Sequence, residues 1–154
     1  MKKIILSVLM IYSSLSWCNI EQSLSDALQR NDIESAKKLI VDGADVNVRD
    51  SQGNSLLHYA AFFGKVQIVK LLLAAHADVQ ARNKKGSSSL HMATVSCVGK
   101  SFDDEHLESI QLLVAAGAHK YVKNGKRITP IALAWRNCPS AAVLMSLVEL
   151  GDLL

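Results

Sequence analysis

The feature that most constrains this chain is a repeat with a period of about 33 residues. Leu57-His58-Tyr59-Ala60 returns one period later as Leu90-His91-Met92-Ala93, and Gly43-Ala44-Asp45-Val46 returns at the same offset as His76-Ala77-Asp78-Val79. Further copies, Ile131-Ala132-Leu133-Ala134 and Gly117-Ala118-His119-Lys120, follow at one longer offset shared by both, which places one insertion of 8 residues between Ala93 and Gly117. Upstream, Leu24 and Ala27 stand one period before Leu57 and Ala60. The unit from Gly53 to Val79 reads as a polar turn, a short apolar helix, a Gly break and a second apolar helix. Helices shorter than about 12 residues are marginal in water on their own. Such a unit must bury its apolar faces against copies of itself, so the period predicts a stacked array.

The motifs at this period resemble those of the ankyrin-repeat family. Thr129-Pro130-Ile131-Ala132-Leu133-Ala134 approximates that family's Thr-Pro-Leu-His-x-Ala, and Ser55 to Ala60 keeps its His. The resemblance implies an all-α solenoid of stacked helix-turn-helix units with hairpin loops, over residues 24–151, with repeats at about 24–49, 50–82, 83–123 and 124–151. Helices are expected at Leu24–Gln29, Ile33–Val41, Val66–Ala74, from Ser89 to about Ser96, Leu107–Ala116, Pro130–Arg136 and Ser140–Leu150. The insertion is expected as a loop around Gly99 to His106. Ser55, Ser88 and Thr129 share one phase and suit helix N-caps, where a hydroxyl accepts from an orphan backbone N–H. Gly43 and Gly117 suit helix ends in the left-handed region; His76 holds that phase in the second repeat and predicts strain there. In the fourth repeat Gly125 falls two places early and Arg127 holds the expected phase, which predicts an altered hairpin tip.

Residues 1–18 carry a different signal. Met1-Lys2-Lys3 precedes an apolar run from Ile4 to Tyr12 and the small residues Ser13, Ser14 and Ser16, the pattern of a secretory signal peptide. Cleavage is expected after Ser16 or Cys18; an uncleaved anchor, a buried first helix and lipidation at Cys18 are the alternatives, the last opposed by bulky Trp17. The mature protein is then expected in the periplasm or secreted, with no membrane insertion after cleavage. Its formal charge falls from +3 to +1 on losing Lys2 and Lys3, too little for bulk charge to argue for nucleic acid.

No motif points to catalysis. Adjacent repeats hold His58 and His91 about one helix diameter apart, roughly 10 Å, too far to share a zinc with bonds near 2 Å. In the family this His bonds to backbone in the turns. His76, His106 and His119 lack ligand spacing. Gly99-Lys100-Ser101 imitates the tail of a phosphate loop, but Thr94 stands where the first Gly is needed. Asp103-Asp104-Glu105 is more simply a solvated acidic run than a cation site. No Ser/His/Asp or Cys/His arrangement stands out, so neither enzyme activity nor a cofactor is expected. Cys97 and Cys138 share a phase at the longer offset. Neighbouring repeats normally hold such positions beyond the roughly 7 Å Cα limit for a disulfide. The insertion beside Cys97 gives the backbone room to move, so a bridge in an oxidising compartment and two separate buried thiols are the two alternatives.

Proteins of the resembling family bind other proteins through hairpin tips and the exposed side of the first helices. Carried onto this sequence, the partner-binding set is Gln52, Asn54, Phe62, Phe63, Lys84, Lys85, Ser87, Lys126, Arg127 and Arg136. Phe62 and Phe63 would anchor within a basic rim; packing of either ring on the next repeat is the competing reading. The tips interleave no aromatics with their cations, which argues against nucleic acid. The expectation is therefore a monomeric, non-catalytic protein-binding module with a preference for an acidic protein surface. A structural or chaperone-like subunit protecting a periplasmic enzyme, and a secreted factor meeting a host protein, are the alternatives.

Overall fold

The computed structural model describes residues 23–96 and 104–137. Residues 1–18, the segment carrying Cys97, and the segment from Cys138 onward with its expected Ser140–Leu150 helix lie outside the described residues. Among the described residues there are seven helices and no strand beyond the isolated bridges Arg49–Ser55 and Arg82–Ser88. The chain divides into two compact units, one ending at Val46 and one beginning at Asn47.

In the first unit, helix α1 (residues 23–29) buries Leu24, Ala27 and Leu28, and helix α2 (Ile33–Val41) buries Ala36. Asp32 caps α2: its Oδ1 accepts the Ser35 N–H at 3.1 Å. Hydrogen bonding from Ser35, by its side chain first and its backbone second, holds the Asp32 carboxyl below its ordinary range. Glu34, Lys37 and Lys38 are exposed, as expected of an outer face, and Glu34 pairs with Lys37 at 2.8 Å. Gly43 ends α2 at φ +97°.

The second unit is built from α3 (Leu56–Phe62), α4 (Val66–Ala74), α5 (Ser89–Val95), α6 (Asp104–Ala115) and α7 (Pro130–Asn137). Helix α3 packs on α5 and α5 on α7, forming one row; α4 packs on α6 in a second row, and α3–α4 and α5–α6 tie the rows together. The repeated apolar positions fill the core. Leu57 and Leu90 are fully buried, as are Val69 and Ile110, Leu72 and Leu113, each pair occupying one phase of successive repeats. Removing apolar surface from water at about 25 cal/mol per Å² is what holds together helices this short.

Two expectations need correction. The insertion is not a loop as far as His106, because α6 already begins at Asp104. Asp104 and Glu105 occupy its first turn, where carboxylates are stabilised by the helix dipole. His106 on the same turn places Nε2 at 2.9 Å from the Ser96 hydroxyl. Its ring lies so close to Gly64 that a Cβ there would come within 2.8 Å of it. The tip of the last repeat is not altered either. Arg127 itself adopts φ +61°, the conformation that Gly53 and Gly86 supply in the preceding tips, and the turn's hydrogen bonds are kept. The strain expected at His76 is present, at φ +59°.

Candidate functional site

Three turns carry the tips, and one device builds them all. Asp50, Asn83 and Asn124 occupy the same phase, and in each the side-chain Oδ1 accepts two backbone N–H groups, from the residues two and four places on. Asp50 takes those of Gln52 and Asn54 at 2.8 Å each, Asn83 those of Lys85 and Ser87 at 3.0 Å each, and Asn124 those of Lys126 and Ile128 at 2.9 and 3.1 Å. Asx side chains favour turns for this reason. Asp50 also receives the Tyr59 hydroxyl at 2.6 Å and the Asn54 amide at 3.0 Å. Partial desolvation pushes its carboxyl up, but these hydrogen bonds together outweigh it and hold the group at about 2.

Successive turns are also bonded to each other. The Lys84 N–H donates to the Gln52 carbonyl at 2.9 Å and the Gly125 N–H to the Lys85 carbonyl at 2.8 Å. Arg49 reaches the Arg82 carbonyl at 3.0 Å, and Arg82 in turn donates to the carbonyls of Lys123 and Gly86. Asn83 donates to the Asn54 side chain at 2.8 Å. The backbones approach so closely that a Cβ on Gly125 would lie 2.9 Å from the Lys85 carbonyl oxygen.

The two buried histidines complete this strip. In α3 the His58 Nδ1 accepts the Ser55 N–H at 3.1 Å while Nε2 lies 3.0 Å from the Ser87 carbonyl; in α5 the His91 Nδ1 accepts from Ser88 at 3.1 Å while Nε2 lies 3.1 Å from the Ile128 carbonyl. Since a carbonyl can only accept, both rings are the neutral tautomer protonated at Nε2. Each therefore bonds its own helix cap to the next repeat's turn, as the resemblance implies. The expected Ser hydroxyl caps thus take the form of a capping box with His at the third helical position. Thr129 follows the simpler expectation, accepting the Ala132 N–H at 3.2 Å. Burial pushes both imidazoles below their ordinary range, against the opposing effect of the carbonyl bonds.

On this scaffold the sequence-predicted residues divide by how far the turn network already uses their side-chain or backbone groups. Asn54 is half-buried and spent on Asp50 and Asn83. Ser87 is half-buried, with its carbonyl and N–H both engaged in the turn network. Gln52, Lys84, Lys85, Lys126 and Arg127 are exposed along the tips, and Arg136 is exposed in the last turn of α7. Among the described residues, the ion pairs are Lys37–Glu34, Arg49–Asp78 and Lys70–Glu108, so none of these five cations is neutralised by one. Phe62 is half-buried and Phe63 is 57% exposed; their rings meet edge to face with centroids 5.1 Å apart. Tyr59 and Val95 are also exposed on α3 and α5, which with α7 form the row of inner helices adjoining the turns. Cys97 and Cys138 lie outside the described residues. Among the described residues no group of three or more His, Cys, Asp or Glu is placed to hold a metal ion, and no helix is long and apolar enough to cross a membrane.

Residues 24–124 match the family model for ankyrin repeats, in three copies. The chain belongs to the ankyrin-repeat family. It is also 38% identical over 52 residues to an ankyrin repeat protein of Rickettsia felis, an alignment covering 34% of this chain and 82% of the relative. The fold class is accordingly the all-α repeat solenoid, and ankyrin arrays are protein–protein interaction modules. Sequence reasoning missed Asp50, Asn83 and Asn124 as turn builders, although their two spacings repeat those of the helix motifs. It also missed Tyr59, whose hydroxyl ties an inner helix to its turn.

Proposed function

We propose that this ankyrin-repeat protein is an exported, non-catalytic binding module that takes an acidic partner protein along its turn strip and inner helices. The observation that carries this reading is the set of exposed cations Lys84, Lys85, Lys126 and Arg127 on backbone that the turns bond to one another, with Arg136 exposed on α7, all free of ion pairs among the described residues. A surface already rigid loses little conformational entropy on binding. Cations without local partners favour a surface of opposite charge. The edge-to-face Phe62–Phe63 pair offers an apolar anchor on the same row of helices. Export rests on the Lys2-Lys3 and apolar Ile4–Tyr12 pattern, with residues 1–18 removed and the mature chain periplasmic or secreted as a monomer. In that oxidising setting we assign Cys97 and Cys138 to one disulfide; the Asn137 side chain donates to the Thr94 carbonyl at 3.4 Å, tying together the helix ends that precede them.

The test is binding of the mature chain to a panel of acidic peptides with and without an aromatic residue. Affinity is expected to fall with salt. The variant carrying Lys84→Glu, Lys85→Glu, Lys126→Glu and Arg127→Glu should lose binding without a change in Tm of more than a few degrees. Phe62→Ala with Phe63→Ala should weaken capture of the aromatic peptides by about tenfold or more, the scale of an interface anchor. Salt-independent binding that survives the charge reversals would overturn the reading.

A further inference from the structure

We propose that His58 and His91 are a pair of acid-released latches that fasten successive turns of the strip at neutral pH and let them go as pH falls, while the helices behind stay folded. This concerns the strip's own order and holds whether or not its partner is acidic. Both nitrogens of each ring are committed, and only the neutral form fits. The rings have no solvent exposure, and the Ser55 and Ser88 N–H groups they accept from belong to buried residues. The N–H formed when Nδ1 is protonated can donate to the Ser hydroxyl oxygen 2.9 Å away. The serine N–H then has no acceptor, and a charge stands where water does not reach. Orphaning a buried donor and burying a charge are both costly, so the imidazolium leaves. Its departure frees the cap behind it and the Ser87 or Ile128 carbonyl ahead of it.

The surrounding charges do not rescue the imidazolium. Around His58, Arg49 opposes protonation while Asp50 and Asp78 favour it, but Asp50 is spent on its own turn and Asp78 pairs with Arg49 at 3.6 Å. Around His91 stand Arg82 and His58, both opposing. On the helices packed against α3 and α5, Lys70 and Glu108 pair with each other at 2.6 Å, His106 meets Ser96, and Asp104, Glu105 and Arg136 are exposed. The latches occur in tandem, one on each of two adjacent repeats, so release loosens Asn83–Ser87 and Asn124–Ile128 together.

Amide hydrogen exchange on the mature chain, with imidazole nitrogen shifts, tests this between pH 7.5 and about 5, the range in which histidine changes charge. Beyond the intrinsic pH dependence of exchange, protection at Ser55 and Ser88 should fall about tenfold or more, by up to one decade per pH unit below the released imidazole's ordinary value of about 6.5. The Val69 and Ala77 amides, bonded to Lys65 and Leu72 behind the strip, should keep theirs. His58→Gln with His91→Gln supplies the usual capping-box residue without a titrating group and should abolish the change. If the double variant does not fold, the single variants are expected to hold protection at Ser55 and Ser88 respectively. Protonation without loss at Ser55 and Ser88 would overturn the proposal, and so would loss in step with Val69 or an equal loss in the Gln variants.

Discussion

His76 and Arg127 hold backbone that glycine enters freely, at φ +59° and +61°, where Gly43, Gly117, Gly53 and Gly86 stand at the matching phases. An L-residue in that region costs roughly 1–2 kcal/mol, less what glycine loses in unfolded-chain entropy. His76→Gly should therefore stabilise the protein by about 0.5–1 kcal/mol in denaturant titration; an unchanged or lower midpoint would show the strain is absent. The His76 strain was legible because a phase was known and the residue broke it. Arg127 was misjudged for an instructive reason. Its turn is fixed by the two N–H groups that Asn124 accepts and by the Gly125–Lys85 bond, and together these impose the left-handed conformation on whatever residue occupies it. Hydrogen bonds of that kind leave no trace in a glycine count, although Asp50, Asn83 and Asn124 were aligned for anyone reading polar positions at the same period.

At the scale of single helices, apolar periodicity predicted α2 and α4 to the residue, since their ends are set by the local signals Asp32, Gly43 and Gly64. Helix α6 was legible only in part. Its extra turn is stabilised by Asp104 and Glu105 at the N-terminus and by His106 against Gly64 and Ser96, contacts made outside its own helix. Each helix depends on its neighbours, so a core deletion in one should be felt as a loss of the stack. Leu72→Ala on α4 and Leu113→Ala on α6, both fully buried at one phase, should each destabilise by about 2–5 kcal/mol in chemical denaturation. Near-neutral effects at either would contradict the packing of α4 against α6.

For the whole molecule, fold and candidate site were legible to different degrees. A repeated motif reports the stack because every copy obeys the same packing rule, whereas a binding surface is what remains after that rule has been satisfied. Lys84, Lys85, Lys126 and Arg127 stayed on the surface as read, yet Asn54 and Ser87 turned out to be built into the turns that carry them. The proposed partner chemistry rests on the sign of the exposed charges and on the Phe62–Phe63 pair. Amide shift mapping of isotope-labelled protein spanning residues 19–154, on adding an acidic, aromatic-bearing peptide, decides whether the turn strip binds. Shifts should gather at residues 52–54, 62–63, 84–87 and 126–127 while those of α4 and α6 stay in place. Shifts confined to α4 and α6, with the turn strip unmoved, would contradict it.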